Sequence, residues 1–172
     1  EVSGAGRFWG LSYTQVLRKL SKYRHQWSLG LQNRFFETNV DFLGLLPLGV
    51  DVRSFPITLT YQGTYVNEQW AGSYTATYSR NLAIKDKNDD LTYSLSRAGA
   101  QSNWDALRIN GNLSYKLPHK WLIRSTLDAQ YAWQALIPGE QFGLGGWRSI
   151  RGLDERSVTG DNGLRTSFEA WT

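Results

Sequence analysis

The sequence predicts an all-β fold, an antiparallel transmembrane β-barrel or a piece of one. Three observations predict it. Apolar and polar residues alternate with period two through seven segments, the pattern of strands with two unlike faces. The connections alternate between short and long, so every short turn falls at one end and every long loop at the other. Aromatic residues, 14% of the 172, gather where the segments end. Lipid cannot satisfy backbone N–H and C=O groups, so only helices and closed barrels span it. A strand wall in lipid turns its apolar side outward and its polar side to the lumen, between two aromatic girdles.

The first segment, about 7–18, sets Trp9, Leu11, Tyr13 and Leu17 against Gly10, Ser12 and Thr14, and a short turn follows. The second, about 24–39, sets Trp27, Leu29, Leu31 and Phe35 against Gln26, Ser28, Gln32 and Arg34. Residues 41–52 form a longer loop. The third, about 53–66, sets Phe55, Ile57, Leu59, Tyr61 and Tyr65 against threonines and Gln62. Pro56 lies near its start, where a missing ladder donor is tolerable. A tight turn at Asn67-Glu68 leads to the fourth, about 70–82, with Trp70, Tyr74, Ala76, Tyr78 and Leu82 on one face. Residues 83–103 read as a polar loop whose middle, LTYSLS, extends the hairpin.

The fifth segment, about 104–117, sets Leu107, Ile109, Leu113, Tyr115 and Leu117 against Arg108, Asn110, Asn112 and Ser114. Pro118-His119 turns the chain. The sixth, about 120–136, sets Trp121, Ile123, Leu127, Ala129, Tyr131 and Trp133 against Arg124, Thr126, Asp128, Gln130 and Gln134. A long loop, 137–161, precedes the seventh, about 162–172, where Leu164, Thr166, Phe168 and Ala170 oppose Arg165, Ser167 and Glu169. Arg34, Arg108, Arg124, Asp128, Arg165 and Glu169 are thus the expected lumen-facing charges.

Composition narrows the function classes. Mean hydropathy is only −0.45, as a half-lumenal strand set requires. A soluble barrel or sandwich shares the period-two pattern, but neither the segregated loop lengths nor the girdles. The longest apolar run, FLGLLPLGV at 42–50, is too short and too broken for a membrane helix, which needs about 20 residues. The chain has no cysteine, which excludes disulfides and thiolate metal sites and suits a periplasm-facing compartment. It opens at Glu1 without an initiator Met, as a mature chain or a piece of a longer one. The net charge of +4 suggests nucleic acid only where cations cluster. Here they sit one or two per strand, as in a polar pore lining.

No catalytic constellation appears. His25 and His119 both fall at short turns and are expected to be solvated. Metal ligation needs three or four converging ligands. Neither a nucleophile elbow nor a P-loop is present. Asp128 and Glu169 form a nominal carboxylate pair, but they lie on separate strands amid arginines and read as balancing charges. The chain is expected not to be an enzyme and to need no cofactor and no metal.

The organising stretch is 140–163, EQFGLGGWRSIRGLDERSVTGDNG. A loop of this length in a compact chain is functional or disordered, and its apolar residues and spaced glycines argue against disorder. With the strand after it, FGLGGWRSIRGLDERSVTGDNGLRTSFEAW (142–171) closely resembles the sixth extracellular loop of two-partner-secretion transporters. These are the haemolysin and adhesin secretion/activation proteins of the surface-antigen-type barrel assembly superfamily. The family tetrad of an aliphatic residue, Arg, Gly and an aromatic maps onto Ile150, Arg151, Gly152 and Leu153. Asp154-Glu155 and then Gly160-Asp161-Asn162-Gly163 follow. Leu153 replaces the usual Phe or Tyr, which removes stacking at that position.

The resemblance implies a 16-stranded barrel in the bacterial outer membrane, of which residues 1–172 form a partial β-barrel domain. About five strands would precede it and four follow. It implies that loop 137–161 folds into the lumen, with Arg151 pairing an acidic residue on the strand beyond Thr172. It also implies periplasmic modules that capture an unfolded client. The expected activity is ATP-free secretion of a large exoprotein. The expected partners are that exoprotein and outer-membrane lipids, and no nucleic acid. An assembly factor that inserts other barrels, and a small structural or adhesin barrel, stand as alternatives.

Overall fold

The computed structural model describes residues 2–42, 46–47, 49–84, 86–146, 149–150 and 152–172, with backbone alone at 2–5, 38–42 and 46–47. Each of the seven predicted segments forms a strand where period two is sustained. Strand β1 is Val2–Val16 and β2 is Tyr23–Phe42, with the two-residue β3, Leu46–Pro47, paired to its end. The third segment is split at Phe55 into β4, Val52–Ser54, and β5, Pro56–Val66. At the break the Phe55 N–H leaves the ladder and donates to Asn81 Oδ1 at 2.6 Å; Pro56 has no N–H to offer. Then come β6, Trp70–Asn81; helix α1, Asp90–Ser96; β7, Asp105–Lys116; and β8, Leu122–Ala132. Strands β9, Phe142–Leu144, and β10, Val158–Gly160, form a small hairpin inside the last long loop, before β11, Gly163–Trp171.

The seven long strands pair in chain order, β1-β2-β5-β6-β7-β8-β11, each antiparallel to the next. Direct cross-strand partners share a face, so the register fixes both faces. One row runs Tyr13, Leu29, Leu59, Tyr78, Leu107, Tyr131 across six strands. Another runs Trp27, Tyr61, Ala76, Ile109, Ala129, Leu164. This apolar face is uncovered: Leu11 is 76% and Phe168 77% exposed. The opposite face carries Ser28, Thr60 and Thr77 in one row, continuing to Arg108 and Gln130.

Two expectations fail for local reasons. LTYSLS does not extend the hairpin; it forms α1. Asp89 caps the helix by accepting from Thr92 N at 2.9 Å, and Asp90 accepts from Ser102 N and Oγ, both at 2.8 Å. A capping aspartate three residues before a donor N–H nucleates a turn that the strand pattern hides. Nor is His25 a solvated turn residue. It lies on β2, paired with Gly63 on the apolar face, where its ring stacks on Tyr23 and its Nδ1 is 2.7 Å from Tyr61 Oη.

The buried core lies among the long loops. Val52, Tyr93, Ala100, Trp104, Ala106, Ala132, Leu136 and Ile137 form one cluster, with Phe36 packed on it. Since Ala106 and Ala132 face each other on the polar side of β7 and β8, the loops fold over the polar face. Small residues at these wall positions make room for Trp104 and Leu136. Asn81, almost fully buried, ties the arrangement together: its Nδ2 donates to Asn88 Oδ1 and Ser102 O, both at 2.7 Å, and to Tyr93 Oη at 3.1 Å.

Candidate functional site

The site is the polar face at its long-loop end, where residues 133–162 cross the wall. The chain leaves β8, turns through Pro138–Glu140, and brings Glu140 down onto the wall. Glu140 is 2% exposed. A buried carboxylate needs several donors, and it has them. Arg34 Nη1 donates to Oε1 and Oε2 at 2.8 and 2.6 Å, Ser54 Oγ to Oε1 at 2.9 Å, and Arg108 Nη2 to Oε2 at 3.1 Å. Arg34 stands on β2 and Arg108 on β7, with β5 and β6 between. In a flat sheet that separation is about 14 Å; one carboxylate gathers both guanidinium groups. Gln32 Oε1 holds the other side of Arg34, and Gln130 Oε1 accepts from Arg108 Nε at 2.7 Å.

A second carboxylate closes the loop. Asp161 receives a two-pronged contact from Arg97, at the end of α1, at 2.8 and 3.0 Å. Leu136 N and Gln141 Nε2 donate to its Oδ1 at 3.0 and 3.2 Å. Partial burial works against ionisation, but the hydrogen bonds from Arg97, the Leu136 N–H and Gln141 outweigh it, and the carboxyl sits below its ordinary pKa. Gln130 pins both loop ends, its Nε2 lying 3.1 Å from Glu140 O and 3.0 Å from Asp161 O. Asn162 Oδ1 accepts from Ala132 N at 2.7 Å, so the Asp-Asn pair of the motif fastens the loop to the top of β8.

Between these anchors the β9–β10 hairpin lies over the wall. Phe142, Gly143, Leu144 and Ser149 enclose a gap of about 270 Å³ with Asn110, Asp128 and Arg165. The Phe142 ring rests where a side chain on Gly163 would project, which is why this motif position takes glycine. Gly145 and Gly146 adopt φ of +118° and +85°, a region that strains other residues. Arg156 Nη2 donates to Pro138 O at 2.8 Å and Gln141 O at 3.0 Å, lacing the return strand to the outgoing one. Ile150 and Leu153 are exposed, and Gly152, at φ +94°, has open space around it. Arg151 lies outside the described residues.

The predicted lumenal charges divide into three groups. Arg34 and Arg108 meet at Glu140. Arg165 pairs with Asp128, which also accepts from Asn110 Nδ2 at 2.6 Å. Arg124 and Glu169 stand opposite each other in the β8–β11 register; Glu169 also accepts from Trp171 Nε1 at 3.2 Å. Neither Glu140 nor Arg97 was among the residues the sequence singles out. The signal for Glu140 was available: an acidic residue directly after Pro-Gly, at the mouth of a loop facing two wall arginines.

The sequence profile of the haemolysin secretion/activation protein family, ShlB/FhaC/HecB, matches residues 2–169. The chain belongs to this family. It is a family of secretion channels, not of enzymes, which fits a site built from paired charges. Two solved structures of CdiB share the fold. The one from Escherichia coli superposes with a TM-score of 0.77 at 18% identity, over 98% of this chain and 31% of that one. The one from Acinetobacter baumannii gives 0.71 at 16%, over 98% and 29%. The chain thus spans about a third of the length of these proteins, as a section of their barrel wall. No curated protein sequence matches it.

Proposed function

We propose that this chain is part of the wall of an outer-membrane channel that secretes a large unfolded exoprotein without ATP, its loop 137–161 held inside the lumen. The supporting observation is the loop's attachment to the polar face through Glu140 and Asp161 while the other face is left apolar. The dimensions support a membrane setting. Trp70 and Tyr115 stack at the short-turn end, and Tyr78, Tyr131 and Trp133 cluster at the other. The ten residue steps of β7 from Tyr115 to Asp105 cover about 34 Å along the strand, or about 26 Å along the membrane normal at a tilt of about 40°. Barrel walls in outer membranes carry an apolar band of about 25 Å.

In this reading the client threads past a neutralised wall, and its folding outside supplies direction. Ile150, Gly152 and Leu153 belong to the loop's distal part, and Arg151 pairs with an acidic residue on the strand beyond Thr172, as the family resemblance implies. The test is co-expression of the full-length protein with the exoprotein encoded beside it, with release into the medium measured. Release that depends on the transporter and continues after ATP depletion supports the proposal. Retention of the exoprotein alongside failed insertion of other barrels would instead identify an assembly factor.

A further inference from the structure

On the apolar face, close to the short turns, lies a depression of about 340 Å³. Tyr65, Tyr74, Leu113 and Leu127 wall it, and Gly72, Gly111 and Ser125 form its floor. The register explains the shape: one row runs Tyr65, Gly72, Leu113, Ser125, and the next runs Gly63, Tyr74, Gly111, Leu127. Small residues in adjacent rows leave a trough between larger ones.

The floor glycines are of two kinds. At Gly72 an added Cβ would stand 3.1 Å from Asn112 O and from Leu113 Cδ1, so local packing accounts for it. At Gly111 the nearest atoms are 3.8 and 4.0 Å away, and its backbone is not among the left-handed positions. The wall does not need glycine there, yet mid-strand glycine weakens a strand and marks close approach of something else. Nothing within the described residues fills the space above it.

Charge gives an independent indication. Arg18, Lys19, Lys22 and Lys120 stand exposed in the short turns, against one acid there, Glu68. This rim is net basic, although the polar face itself has no basic stripe. A rim of this kind attracts anionic headgroups.

We propose that the depression is a binding site for an anionic phospholipid, with an acyl chain over Gly111 and the phosphate against the basic rim. A soluble acidic partner fits the rim but has no use for an apolar trough beside it; an anionic lipid fits both. The inference rests on the membrane setting argued above.

The test uses the full-length protein in neutral detergent, with retention of phosphatidylglycerol and phosphatidylcholine compared by native mass spectrometry. Wild type is expected to prefer phosphatidylglycerol by about tenfold, an effect of the size a few rim cations supply. Gly111→Leu, whose Cβ meets no atom closer than 3.8 Å, should lose the bound lipid while the barrel stays folded by its heat-modifiable migration. Lys19→Gln with Lys22→Gln and Lys120→Gln should keep lipid but lose the preference. Equal retention of the two lipids by wild type, or undiminished binding by Gly111→Leu, overturns the proposal, as does binding of a water-soluble acidic peptide in place of lipid. Failure to insert into vesicles of either lipid would refute the membrane reading as well, whereas insertion without preference refutes this site alone.

Discussion

Replacing Glu140 by Gln tests the loop anchor most directly. The substitution keeps the shape and removes the charge that holds Arg34 and Arg108 together. Breaking a buried ion pair by deleting one partner costs about 3–5 kcal/mol. Arg34 and Arg108 each keep roughly a quarter of the side chain in solvent, while Glu140 keeps almost none. Water can therefore take back part of each guanidinium, and the loss belongs at the lower bound, about 3 kcal/mol. That is on the order of a hundredfold in the docking equilibrium of the loop. Because these 172 residues hold no cysteine, Ser149→Cys adds a thiol probe of this section beside the wall. Its labelling rate in the folded barrel should rise steeply in the Glu140→Gln background. Arg34→Gln combined with Glu140→Gln should cost less than the two singles together, because the double variant leaves one guanidinium fewer unpaired. Unchanged labelling, or strictly additive losses, would refute Glu140 as the anchor.

Other variants separate the remaining contacts. The Asp161 carboxyl lies below its unfolded value of about 3.9, so its contribution is full above about pH 4 and is lost as pH falls through the depressed value. Loop labelling should rise in that acid window, and Asp161→Asn should flatten the response there. Gly163→Val should displace the Phe142 ring at a cost of about 1–3 kcal/mol, read as a lower thermal midpoint, and Phe142→Ala should relieve much of it. Arg151→Ala should reduce secretion while barrel insertion, followed by heat-modifiable migration, remains intact; normal secretion would remove that arginine from the mechanism.

The strands were legible because period two leaves little choice once one face must be apolar. A slip of one residue in β8 would exchange Tyr131 for Gln130 across the whole sheet. Loop structure was less legible. In LTYSLS the strand-like alternation competes with a cap at Asp89, and tertiary packing of Tyr93 decides for helix. Phe55 reads as part of one unbroken strand, near its start, yet proline after it and Asn81 beside it interrupt the ladder. The motif located the loop, and Asp161 and Gly163 within it have clear physical roles, one as an acceptor hub and one as a bed for a ring. The residues that hold the loop, Glu140 against the wall and Arg97 from the end of α1, carry no local pattern, because Arg34 lies 106 positions from Glu140 and Asp161 lies 64 from Arg97.

In the channel proposed above, the pairings bear on how a wall can serve a client of arbitrary sequence. A bare arginine facing the lumen would capture acidic stretches of a passing chain, and a bare carboxylate would capture basic ones. Here Arg34 and Arg108 are engaged by Glu140, Arg97 by Asp161 and Arg165 by Asp128. Along β2, β5 and β6 the same face offers Ser28, Thr60 and Thr77 in one row and Gln26, Gln62 and Thr75 in another. Hydroxyl and amide groups exchange hydrogen bonds with water or a peptide at similar free energy, so they solvate an extended backbone without holding it. Passive movement requires contacts favourable enough to keep the chain wetted and too weak to trap it. Pairing the charges at the loop end, and leaving neutral groups along the middle of β2, β5 and β6 with Arg24 and Lys116 only beside the short turns, meets both conditions. It follows that Glu140→Gln should act twice: it loosens the loop, and it frees two arginines to retain acidic segments, so that clients rich in Asp and Glu are slowed more than neutral ones. Equal slowing of both kinds would leave only the loop effect standing.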